Sequence, residues 1–222
     1  SAVTRDEVAA AEPGVVIAVN GIFNDQERAM VLAYQNSGLA QHISDKDQVF
    51  YAVVSEPANN WISEMLGVAY EKLVASADYG LASFLGYTNG ATLLADLLRS
   101  RGDKETTSLG HSRGTLVQEA AFTILANEKN GSGKTYTNPN LTVRGVGGAA
   151  DAEAYSEKAA KVLGETGNKE RITFNYFSND PVATSNFSGG NPSVWTVNDL
   201  WQVFKTTNSM HSCYGTGAAG CT

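Results

Sequence analysis

The sequence predicts an α/β protein, a single domain on a mostly parallel central sheet with helices on both faces. Three observations lead there. Short runs of β-type residues alternate with longer stretches of helical periodicity, the pattern of βαβ crossovers. One short run, Val15-Val16-Ile17-Ala18-Val19, is apolar at every position, as a strand buried on both sides must be. The 222 residues contain no internal repeat and no low-complexity linker, so one core spanning 1–222 is expected.

Each element has its own local signal. After the first strand, Asn24-Asp25-Gln26-Glu27 reads as a cap with a capping-box glutamate, opening a helix to about Asn36 ahead of Gly38. Val49 to Val54 is a second strand, stopped by Pro57. Ile62, Met65, Leu66, Ala69 and Leu73 recur at helical spacing. Leu93, Leu94, Leu97 and Leu98 form another stripe, closed by Arg101-Gly102. Thr106 to Leu109 is a short strand. Leu116, Val117, Ala120, Ala121, Ile124 and Leu125 lay an apolar face along a helix ending near Asn130-Gly131. A polar, turn-rich surface loop from Lys129 to Asn140 leads to a strand at Leu141 to Val146. A helix at Ala152 to Leu163, with Gly164 behind it, precedes a strand at Arg171 to Phe177, and a last helix is expected around Val197 to Phe204.

Composition narrows the function classes. The formal net charge is -7 and the chain has no Lys/Arg cluster, so it is a poor ligand for a phosphate backbone and nucleic acid is not an expected partner. No stretch is long and apolar enough to span a bilayer: the least charged region, Tyr79 to Ala95, is interrupted by Gly80, Gly86, Asn89 and Gly90. The opening S-A-V-T-R-D-E-V lacks the form of a signal peptide, so either one has been removed or the domain belongs to a longer chain. Cys213 and Cys221 both lie in the glycine-rich tail, as two thiols or as a disulfide closing a small loop; the pairing would favour an oxidising compartment. The three histidines have no ligand-like spacing with the cysteines, and neither a metal nor a cofactor is expected.

The chemistry centres on G-H-S-R-G, Gly110 to Gly114. In a chain with 22 glycines, five residues alone prove little. Their context is stronger, because a strand precedes Ser112 and a helix follows it, the setting of a G-x-S-x-G elbow that presents a serine nucleophile. The flanking glycines permit a tight turn, and the helix N-terminus places positive dipole beside a developing oxyanion.

A serine needs a base and an orienting acid. His111 adjoins Ser112, but its side chain should point away from the apex, and His42 sits in a solvated connection. His211, in a loop after the last expected helix, is the candidate base. Asp180, in F-S-N-D-P-V, directly follows the Arg171–Phe177 strand and so lies on the elbow's side of the sheet; it is the candidate acid. The alternative for Asp180 is a turn-initiating Asp-Pro. Asp151 is a reserve acid better explained as a helix N-cap, and Asp199 reads as a surface residue. The order Ser112, Asp180, His211 is that of an α/β-hydrolase triad, and Asn20-Gly21 after the first strand is placed to contribute an oxyanion loop.

Across most of its length the chain resembles a small, cutinase-sized, lipase-like α/β-hydrolase with little or no lid. In that family a strand ending in His-Gly carries the oxyanion residue just after the glycine. Here N-G-I stands in that place, which implies the backbone N–H of Ile22 (or Phe23) as one donor and that of Arg113, following the nucleophile, as the other. More narrowly, G-H-S-R-G-T, N-D-P-V and H-S-C-Y-G-T-G-A-A-G-C resemble C-terminal toxin domains of bacterial filamentous-haemagglutinin-like exoproteins of contact-dependent inhibition. That resemblance implies a secreted domain delivered to a neighbouring cell, a cognate immunity protein as partner, and lipid esters as substrate.

The expected function is therefore a serine esterase or lipase working through an acyl-enzyme, in which Ser112 attacks, His211 moves the proton and Asp180 orients it. The Arg113 side chain is open to two readings, recognition of an anionic substrate group or an ion pair near the helix start. The apolar segment Tyr79 to Tyr87 either packs in the core or touches the acyl chain and, transiently, a membrane surface. The alternative from another class is a catalytically silent module of the same fold that binds a partner protein.

Overall fold

The computed structural model describes residues 4–11, 14–19, 49–54, 89–176 and 180. Within them the order is α1 (Arg5–Ala10), β1 (Gly14–Val19), β2 (Val49–Val54), α2 (Asn89–Arg101), β3 (Thr106–His111), α3 (Gly114–Asn127), β4 (Leu141–Val146), α4 (Ala152–Leu163) and β5 (Ile172–Asn175). The five strands form one sheet in the order β2-β1-β3-β4-β5, and every neighbouring pair is parallel. The chain is thus of the α/β class.

Side-chain chemistry explains the elements. Val15 through Val19 are all buried, as a strand covered on both faces requires. α3 follows the same logic on a helix: every residue from Gly114 to Leu125 is buried. α2 buries Leu94, Leu97 and Leu98 but leaves Leu93 47% exposed, so the fourth leucine of the expected stripe is outside the core. Its position, one residue before Leu94, turns it about 100° off the buried face. Gly102 closes α2 in the left-handed region at φ 62°, and its N–H donates to the carbonyl of Arg99 at 3.0 Å. Asp151 is the N-cap of α4, accepting from the Ala154 N–H at 2.9 Å.

Some boundaries differ from the expected ones. β3 runs two residues beyond Leu109, because Gly110 and His111 continue the ladder against Gly145 and Val146 of β4. β5 begins at Ile172 after a one-turn 3₁₀ segment, Lys169–Arg171, capped by Asn168. α3 ends at Asn127, short of Asn130, where the chain enters a tight loop: Lys129 bridges Thr135, and the Asn130 Oδ1 accepts from the N–H groups of Ser132 and Lys134. α1 was not expected at all. Its capping box is in the sequence as Thr4-Arg5-Asp6-Glu7, with the Thr4 hydroxyl accepting from the Glu7 N–H and the Glu7 carboxylate accepting from the Thr4 N–H. Donation to that carboxylate from the Thr4 N–H and from the Thr4 hydroxyl holds the Glu7 carboxyl below its ordinary pKa.

The β3-α3-β4 and β4-α4-β5 crossovers step the same way across the sheet, so right-handed connections put α3 and α4 on one face. α2 packs beside α3 on that face, and α1 packs on α2. The expected helices at 24–36, 62–73 and 197–204 lie outside the described residues, as does the Tyr79–Tyr87 segment. The core joins β1 and β4 to α2, α3 and α4, with Phe122, Tyr155 and Phe174 in successive edge-to-face contacts.

Candidate active site

β1 and β3 are neighbours, yet the next strand after β1 lies to one side of the pair and the next after β3 to the other. The carboxyl ends of β1 and β3 are therefore a topological switch point, the usual ligand position in an open parallel sheet. Val19, the last residue of β1, pairs with Gly110 of β3, and Ser112 follows the end of β3 directly. The topology alone thus puts Ser112 at the switch point.

The backbone there is strained. Ser112 has φ 57° and is the one non-glycine residue with positive φ among those described. For an L-residue that conformation costs about 1–2 kcal/mol. It persists because the surroundings over-determine it. The Ser112 N–H donates to the carbonyl of Val146 at 3.1 Å. Its carbonyl accepts from the N–H of Thr115 at 3.1 Å, the N–H of Ala149 at 3.2 Å and the hydroxyl of Thr115 at 2.8 Å. The Ser112 Oγ, in contrast, is buried with no hydrogen-bond partner among the described residues. A strained serine whose backbone is fully engaged and whose hydroxyl is unengaged is suited to reaction rather than to capping a turn.

Gly110 leaves no room for a side chain. A Cβ there would stand 2.1 Å from the Gln118 Oε1 and 3.0 Å from the Gly114 backbone carbon. Gln118 is fully buried beneath the turn. Its amide donates to the Ser108 Oγ at 2.9 Å and its Oε1 accepts from the Tyr155 hydroxyl at 2.8 Å, so a polar chain runs from β3 through α3 to α4. Burial drives the Tyr155 phenol well above its ordinary pKa, and it remains a donor in that chain.

Asp180 lies beyond the C-terminal end of β5, two strands from β3, and is completely excluded from solvent. A carboxylate tolerates that only with hydrogen-bond donors or a cation around it, so a mere surface turn does not account for it. Arg113 is the N-cap of α3, with its N–H next in the chain after Ser112 and at the positive end of the helix. His111 is buried at the end of β3. His211, Ile22, His42, Asp199, Cys213 and Cys221 lie outside the described residues.

No protein-family model, curated protein or solved structure matches this chain.

Thr115 and Gln118 escaped the sequence reading. Gln118 had no distinguishing signal, being a polar residue outside the apolar stripe of its helix. Thr115 did have one, since a hydroxyl three residues after the turn serine can reach back to its carbonyl. Away from this site, a cavity of about 320 Å³ is lined by Arg99, Glu128, Lys129, Asn130, Lys134 and Tyr136. It lies by the far end of α3, about 20 Å from the turn at 1.5 Å per residue, too distant to serve Ser112. Among the described residues no group of three His, Cys, Asp or Glu could hold a metal, and no helix is long and apolar enough to cross a membrane.

Proposed function

We propose that the chain is a serine hydrolase of the α/β-hydrolase type that cleaves carboxylic esters, with lipid esters as its substrates. The observation that carries this is Ser112: strained, at the switch point, and with an unengaged hydroxyl. The buried carboxylate of Asp180 beyond β5 supports it, because an acid that orients a histidine belongs on that edge of the sheet. In the proposed reaction the Ser112 Oγ attacks the ester carbonyl while His211 takes its proton. The oxyanion is held by the N–H groups of Arg113 and Ile22, and His211 returns the proton to the departing alcohol. Water, deprotonated by the same imidazole, then hydrolyses the acyl-enzyme and frees the acid. The tail and elbow motifs that resemble exoprotein toxin domains extend the proposal to a secreted antibacterial role with an immunity protein as partner.

Labelling by a fluorescent fluorophosphonate tests the chemistry. Wild type should label, Ser112→Ala should not, and Asp180→Asn and His211→Ala should lose most of the signal. Because Ser112 is buried, a small activated ester is assayed in parallel. A folded wild type inert to both reagents would refute the hydrolase reading in favour of a partner-binding module.

A further inference from the structure

We infer that Thr115 is a positioning residue for the nucleophile, an inference that rests on the hydrolase reading of Ser112. Its side chain is fully buried and joins the two segments that meet at the site. The Thr115 Oγ1 donates to the Ser112 carbonyl at 2.8 Å and accepts from the Ala150 N–H at 3.1 Å. One hydroxyl therefore ties the strained turn after β3 to the loop after β4. Its own N–H and that of Ala149 bind the same Ser112 carbonyl, so three donors from two segments converge on one oxygen.

The fit around that hydroxyl is close. A Cβ on Gly148 would come within 2.7 Å of both the Thr115 Oγ1 and Cγ2 and within 2.5 Å of the Phe174 ring, so the loop passes against Thr115 with no room for a side chain. Gly147 enters the loop at φ 54°, with its N–H donating to the Asn175 carbonyl at 2.8 Å. The clamp thus continues from β3 across β4 to β5, the strand that leads to Asp180. A carbonyl held from both sides leaves the Ser112 peptide little freedom to relax out of the left-handed region, and the direction of its Oγ is set by that backbone. Thr115 touches neither substrate nor proton; it acts through the Ser112 backbone.

The test compares Thr115→Val, which keeps the shape and removes the hydroxyl, with Thr115→Ser, which keeps the hydroxyl. The readouts are the second-order rate of fluorophosphonate labelling, kcat and KM on a small activated ester, and the melting temperature. Misplacing a nucleophile by about 1 Å costs up to roughly 100-fold in rate, so Thr115→Val should label about 10- to 100-fold more slowly, with the loss in kcat and not KM. Thr115→Ser should restore labelling to near the wild-type rate. If Thr115→Val does not fold, Thr115→Ala carries the same comparison without a misfitting methyl group. Labelling of a folded hydroxyl-free variant at the wild-type rate overturns the role of Thr115 and leaves the hydrolase reading intact. A wild type that labels with nothing removes the hydrolase reading itself, and the positioning role with it.

Discussion

Replacing Ser112 should make the protein more stable while abolishing the proposed ester hydrolysis, and the size of the gain separates two causes. The first is the orphaned hydroxyl. The Ser112 Oγ is buried and has no hydrogen-bond partner among the described residues, and such a group costs about 1–3 kcal/mol. Ser112→Ala removes it and leaves the backbone as it was, so a gain of about 1 kcal/mol is expected. The second is the left-handed backbone at φ 57°. Ser112→Gly removes that strain as well, worth about 1–2 kcal/mol, while glycine loses about 0.5–1 kcal/mol more conformational freedom on folding. The net advantage of Ser112→Gly over Ser112→Ala is then about 0.5–1 kcal/mol. In a chain of this size 1 kcal/mol moves the melting point by about 2–4 °C. The expected order of melting temperature is Ser112→Gly, then Ser112→Ala, then wild type, with a few degrees between neighbours. Calorimetry and urea titration at equal m-value measure it. If Ser112→Ala melts as high as Ser112→Gly, the turn is not strained. If it melts below wild type, the hydroxyl is satisfied, and the destabilising cost assigned to it is refuted.

Other perturbations reach the supports of the fold. Gly110→Ala drives a methyl group into the Gln118 amide and the Gly114 backbone, and the backbone contact cannot be relieved by a rotamer change; a loss of about 2–3 kcal/mol in urea titration is expected. Arg101 is buried, and its guanidinium donates to the carbonyls of Val8, Ala9, Ala11 and Glu105 and to the Thr106 hydroxyl, capping α1 and fastening it to α2 and β3. Arg101→Met should cost about 3 kcal/mol and lift hydrogen-exchange protection from α1 before the rest of the fold. Burial pushes the Tyr136 phenol up to about 12 from an ordinary 10.0. Because the folded state holds that proton more tightly, the stabilisation is complete below pH 10 and declines as pH rises from 10 towards 12. Tyr136→Phe should flatten that decline; an unchanged alkaline slope of stability, followed with tyrosinate absorbance, would count against the burial of the phenol.

Much of the fold is legible in local pattern. β1, β2, β4 and α4 lie where alternation, β-branching and caps predict them, because each signal acts within a few residues: a β-branched run resists the helix, and Asp151 satisfies an orphan N–H three residues on. G-H-S-R-G likewise marked its turn, since strand, glycines and helix are contiguous there. The sequence by itself determined the α/β class and the identity of the turn serine. It did not determine what holds that serine at positive φ, because the Val146, Ala149 and Ala150 groups arrive from the neighbouring strand β4 and the loop after it, more than thirty residues away. Nor could it separate Leu93 from its three buried neighbours or show that Gln118 faces inward, since burial depends on which face of a helix meets the sheet. The complete burial of Asp180 belongs to the same class: its sequence context offers a candidate acid or a turn-initiating Asp-Pro, and only the folded chain decides whether water reaches the side chain.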